Sequence, residues 1–146
     1  MNHTSNEHPW FRWAIGEEPT KEEREKYSDT PYNWDIPTKR DERMKKYQSY
    51  YWFINSKPDK NTPWRDDEGL NEAKATPWKE RKLEDGSSKW FLHTFSDFKP
   101  DLNWNNPAVR KEMAKVANFW INKGVKGFRL DAIPLIGKDV NKMTII

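Results

Sequence analysis

The sequence predicts an α/β fold, and three local patterns carry that prediction. Val109, Met113, Val116 and Trp120 recur at spacings of four, three and four, the stripe of an amphipathic helix. Gly124 interrupts the stripe, and residues 125–130 read as a strand that follows at once. Earlier, Asp85-Gly86 precedes the aromatic run 89–95, which pairs a turn dipeptide with a strand.

In chain order, residues 1–5 form a short unit carrying His3. Residues 6–105 are broken by Pro19, Pro31, Pro37, Pro58, Pro63, Pro77 and Pro100. Two short helices are expected there. Thr20-Lys21-Glu22-Glu23 has the capping-box pattern, with Thr20 as N-cap and Glu23 reaching back. Residues 41–51 are the second, charged on one side and tyrosine-rich on the other. A stretch this long between regular elements reads as an inserted subdomain, because bare loops of that length are rare in folded domains. Residues 106–146 form the last unit, opened by Asn106 as N-cap and Pro107 at the first helical position.

Composition narrows the function classes. The chain has 146 residues, 34% hydrophobic and 34% charged, so aliphatic material for a core is scarce. Nine Trp, seven Phe and five Tyr offset that deficit, since each ring buries a large area. The net charge is +3, but basic and acidic residues interleave without a basic stripe, so no nucleic-acid partner is expected. The absence of cysteine excludes a disulfide framework and thiolate metal sites. His3, His8 and His93 are too dispersed for a metal cluster, and no cofactor is implied. No apolar run is long enough for a transmembrane helix, and the first residues do not read as a signal peptide.

The chemistry-bearing residues lie at the two ends. Arg129 and Asp131 sit two positions apart on the expected last strand, so their side chains share one face. A carboxylate kept ionised by a neighbouring guanidinium is a usable nucleophile. Asn2-His3, Trp90-Phe91-Leu92-His93-Thr94-Phe95, Asp101-Leu102-Asn103 and Gly127-Phe128-Arg129-Leu130-Asp131 follow one another along the chain. In that order and spacing they resemble the signatures of the alpha-amylase family of retaining glycosidases, glycoside hydrolase family 13. The likeness is to its branch of oligo-alpha-glucosidases, maltases and trehalose-processing enzymes. It runs from Met1 to about Lys138 and is poor between Gly16 and Lys46.

The resemblance implies part of a (β/α)8 TIM barrel. Residues 1–5 would end barrel strand 3, residues 6–105 would form the inserted domain B, and residues 106–146 would give helix 3, strand 4 and the following loop. Asp131 would be the nucleophile and Arg129 its orienting cation. His3 would hydrogen-bond a sugar hydroxyl, Phe95 would wall the reacting subsite, and the small Ala132 goes with alpha-1,4 linkages. Pro134-Leu135 stands where endo-acting amylases carry Lys-His, which points to small alpha-glucosides. Lys99 replaces the glutamine usual in the branch. The general-acid glutamate and second aspartate belong to the family's fifth and seventh strands, beyond these motifs. The chain is therefore expected to be a middle piece of an enzyme and inactive alone. The alternative is a non-catalytic carbohydrate-binding or transporter-associated relative of the same fold.

Overall fold

The computed structural model describes residues 1–59, 62–63 and 76–139, together with the backbone of 144–145. Helix α1, Pro9–Ala14, starts where His8 caps it: the His8 imidazole accepts from Trp10 N at 3.2 Å, and Pro9 needs no amide partner. The sequence reading expects two helices before residue 105, and α1 is a third. Its signal was the His-Pro pair, weaker than Ser or Asp as a cap. Helix α2, Lys21–Ser28, has the expected capping box, with Thr20 Oγ1 accepting from Glu23 N and Glu23 Oε2 accepting from Thr20 N, both at 3.0 Å. Helix α3, Arg40–Gln48, ends three residues before the expected boundary, where Ser49 takes over.

Strands β1 (Phe53–Ile54), β2 (Trp78–Lys82) and β3 (Ser88–Leu92) form an antiparallel sheet in the order β1-β3-β2. The expected hairpin at Asp85-Gly86 joins β2 to β3, with Gly86 at φ 84°, a region open chiefly to glycine. The register places Trp78 opposite Leu92 and Lys82 opposite Ser88. Strand β3 stops at Leu92, short of the expected Phe95.

Helix α4, Pro107–Asn122, begins on the Asn106 cap, whose side chain accepts from Ala108 N at 2.9 Å. Gly124, at φ 93°, ends it. The expected strand over 125–130 is absent: the segment joins no ladder, and Val125, Phe128 and Leu130 are exposed. A strand exists only through partners, and none pairs with it among the described residues. The strand pairs among the described residues are all antiparallel, so the parallel barrel sheet that the resemblance implies is not formed by them. A 3-10 turn, Ile133–Leu135, follows, and the short strands β4 (Lys138–Asp139) and β5 (Thr144–Ile145) pair antiparallel.

The main core is aromatic. Trp10, Phe11, Trp13, Tyr47, Tyr50, Tyr51 and Phe91 are buried, with Met44, Leu83, Leu102 and Val109 between them. Trp13 meets Tyr47 at 5.0 Å between centroids and Phe11 meets Phe91 at 5.0 Å, both edge-on, the favoured arrangement for ring quadrupoles. Trp34 stacks on Tyr27 at 4.4 Å and donates its indole N–H to Glu112 Oε2 of α4 at 3.0 Å. That bond fastens the poorly matched 16–46 segment to the helix.

Candidate active site

His3 is held by backbone pairing. It bridges Asp101 in antiparallel register, Thr4 N donates to Pro100 O at 3.2 Å, and Asn6 N donates to Phe98 O at 2.8 Å. The Thr4 and Tyr51 hydroxyls hydrogen-bond at 2.8 Å and fix the same segment to the core. This pairing places the His3 ring against Phe95, 5.3 Å between centroids and tilted by 58°. Phe95 stays 49% exposed, so the pair forms a wall open to solvent. Burial lowers the His3 pKa below its ordinary value, against the opposing pull of Asp101, so the imidazole is neutral at pH 7. Among the described residues its buried Nδ1 has no hydrogen-bond partner.

Behind His3 lies a closed polar network that sequence reasoning missed. Asp101 accepts from Thr94 N (3.1 Å) and Thr94 Oγ1 (2.9 Å), and its Oδ2 lies 3.1 Å from Lys138 Nζ. Lys138 also donates to Asn2 Oδ1 at 2.7 Å and to the Leu135 carbonyl, while Asn2 Nδ2 donates to Thr94 Oγ1 at 3.1 Å. Asn2, Asp101 and Lys138 are fully buried. A buried ammonium is tolerable only when paired and hydrogen-bonded, and this one is. Burial lowers the Lys138 pKa and Asp101 pulls it back up. The available signal was a lone lysine closing the apolar run 132–137.

Arg129 and Asp131 meet, although the strand expected to bring them to one face is not formed. Arg129 Nη2 lies 3.2 Å from Asp131 Oδ1, with the two side chains 90% and 81% exposed. Ala132 then adopts a left-handed conformation, φ 56° and ψ 28°, which turns the chain sharply toward Lys138. Two pairs thus form, His3 with Phe95 and Arg129 with Asp131. Among the described residues no hydrogen bond, ion pair or ring contact joins one pair to the other. They are linked through the network: Asn2 adjoins His3, and Lys138 follows Asp131 by one short turn. A cavity of about 380 Å³ lies elsewhere, between α4 and the Tyr27–Trp34 rings, and none of the five predicted residues lines it.

Comparison with known proteins identifies the family of the chain. The model of the alpha-amylase catalytic domain matches residues 1–144. Palatinase from Erwinia rhapontici is 32% identical over 141 residues, covering 97% of this chain and 20% of that protein. Oligo-1,6-glucosidase from Parageobacillus thermoglucosidasius is 35% identical over 138 residues, covering 94% of this chain and 19% of its own length. The crystal structure of trehalose-6-phosphate hydrolase from Bacillus licheniformis superposes with a TM-score of 0.61 at 29% identity, over 94% of this chain and 19% of that one. The chain spans about one fifth of the length of the curated relatives it matches. It belongs to the alpha-amylase family, glycoside hydrolase family 13.

Proposed function

We propose that this chain is part of a retaining alpha-glucosidase-like hydrolase acting on small alpha-glucosides, with Asp131 as nucleophile. The observation that supports it most is the Arg129–Asp131 pair, open to solvent at 3.2 Å within the segment matched by the catalytic-domain model. In this reading the Asp131 carboxylate attacks the anomeric carbon as the bond to the leaving oxygen breaks. A second carboxyl protonates that oxygen and then activates the water that releases the sugar. Arg129 orients the nucleophile, His3 hydrogen-bonds a hydroxyl of the reacting sugar, Phe95 walls its subsite, and Ala132 leaves room beside it. In this reading residues 1–5 are the end of barrel strand 3, 6–105 the inserted domain, and 106–146 helix 3, the segment that forms strand 4 once neighbouring barrel strands pair with it, and the loop after it.

The second carboxyl has no counterpart in the resemblance within these 146 residues, so the isolated chain is expected to give no turnover of an aryl alpha-glucoside. The positive test is a chimera in which residues 1–144 replace the matched segment of the Parageobacillus oligo-1,6-glucosidase. It should hydrolyse the aryl glucoside, and Asp131→Asn should lower kcat by about 10⁴-fold or more, the scale on which loss of a nucleophile acts. A folded chimera whose turnover survives Asp131→Asn defeats the assignment. Preference of the chimera for maltose over isomaltose tests the alpha-1,4 reading of Ala132.

A further inference from the structure

The cavity between α4 and the 16–46 segment, which the family motifs match poorly, has the size of a small-molecule site. Its volume is about 380 Å³, and such sites span roughly 300–1,000 Å³. The stacked rings of Tyr27 and Trp34, 4.4 Å between centroids, form one wall. Met113, Val116, Phe119 and Trp120 of α4 form the other. His8 and Trp10 complete the lining, their rings 6.0 Å and 5.1 Å from that of Trp34.

The polar groups of this lining largely satisfy one another. Glu112 accepts from the Trp34 indole at 3.0 Å and from Lys115 at 2.9 Å, so its charge is matched, and the Thr4 hydroxyl is bonded to Tyr51. His8 differs. Its Nδ1 accepts from Trp10 N, which places the imidazole proton on Nε2, and burial holds the ring neutral with a pKa of about 4. That Nε2–H has no acceptor among the described residues.

Ligand classes separate on such a lining. A pyranose would give up water at several hydroxyls and meet mostly ring carbon in exchange. An anion would meet the Glu112 carboxylate and a cation the Lys115 ammonium, with no unpaired opposite charge in the lining to offset either. An uncharged aromatic ring packs well against ring edges and offset faces, and one acceptor oxygen on it satisfies the His8 N–H. We propose that this cavity is a second binding site, separate from Asp131, for a small uncharged aromatic molecule bearing one hydrogen-bond-accepting oxygen, with His8 as the donor to that oxygen.

The test is an NMR titration of the full chain, following the Trp34 indole, the Met113 methyl and the His8 Nε2–H. The probes are acetophenone, ethylbenzene (the same ring without the oxygen), benzoate and methyl alpha-glucoside. Acetophenone and ethylbenzene should both shift the Trp34 and Met113 signals, and only acetophenone should move the His8 N–H. Val116→Trp, which fills the cavity from a half-exposed position, should abolish both sets of shifts. His8→Phe should lower the ratio of acetophenone to ethylbenzene affinity about twofold to tenfold, the scale of one net hydrogen bond, and leave ethylbenzene binding unchanged. An unchanged ratio in His8→Phe overturns the proposal, as does a His8 N–H signal indifferent to acetophenone in the unaltered chain. Benzoate or the glucoside shifting the Trp34 and Met113 signals as strongly as acetophenone overturns it too. The same titration on the chimera should give the same shifts. Their loss there would mean that the rest of the enzyme fills the cavity, and the site would not exist.

Discussion

The region up to Leu102 and the unit built on α4 differ in how their apolar residues are used. In the first, Trp10, Phe11 and Trp13 are at most 3% exposed, and rings from three helices and the sheet close over them. In the second, only Val109 of the α4 stripe is buried, while Val116 and Trp120 are 49% and 48% exposed. Beyond Gly124, Phe128 and Leu130 are about half exposed as well. The unit with the most regular pattern is the less well packed of the two. Periodicity and caps act within a few residues and make a helix; burial needs a second surface. In a barrel that surface is the sheet of parallel strands, which lies outside what the described residues supply.

The contrast can be broken by paired substitutions. Trp13→Ala should cost about 3–5 kcal/mol, the usual loss for a buried large aromatic that leaves a cavity. Trp120→Ala should change stability by only about 0.5 kcal/mol, as half-exposed positions do. Urea unfolding followed by near-UV circular dichroism reads both. Equal losses at the two tryptophans would mean that α4 is packed as tightly as the aromatic core.

Lys138 joins the two regions, so its removal is the next largest effect. Lys138→Ala leaves the buried Asp101 carboxylate without its cation and should destabilise by about 3–5 kcal/mol. The double variant Asp101→Asn, Lys138→Met removes both charges and should recover most of that loss, because charge-free pairs avoid the desolvation penalty. If the double variant is as unstable as the single, the hydrogen bonds to Asn2 and Thr94, rather than the charge pair, hold the junction.

What the sequence disclosed follows the same division. The Thr20 capping box, the Asn106-Pro107 start, the Gly124 stop and the Asp85-Gly86 turn are encoded by neighbours in sequence, and all are present. Helix α1 escaped because histidine is a rare cap. The strand over 125–130 failed because its existence depends on partners elsewhere. At the site, Arg129 and Asp131 are in contact without the strand from which their common face was expected, and His3 lies against Phe95. The Asn2–Thr94–Asp101–Lys138 network was invisible because its members come together from 136 positions apart, through contacts that no local pattern records.

Acid should act mainly through the histidines. Burial holds His8 at a pKa of about 4 in the folded chain against 6.5 as its ordinary value, and burial lowers His3 and His93 in the same direction. Between these values the unfolded chain binds more protons than the folded one, so stability should rise with pH across this window. The contribution is fully present above about pH 6.5 and is lost as pH falls through about 4. Thermal midpoints at several pH values should therefore fall below pH 6.5, and His8→Gln should flatten the dependence. An unchanged slope in His8→Gln would move the effect to the other two histidines.

The smallest stability effect is expected where the proposed chemistry is concentrated. Arg129 and Asp131 form an ion pair in solvent, and such pairs contribute little because water screens them and two long side chains lose freedom in forming them. Arg129→Ala should leave the unfolding transition of the isolated chain unmoved. In the chimera the same substitution should lower kcat by about 10²-fold, the cost of letting a reacting group drift from its productive position. The two readouts separate the roles: a residue kept for packing would shift the transition, and one kept for orienting a nucleophile shifts the rate. A fall in stability comparable with that of Lys138→Ala would place Arg129 inside the fold rather than at its open edge.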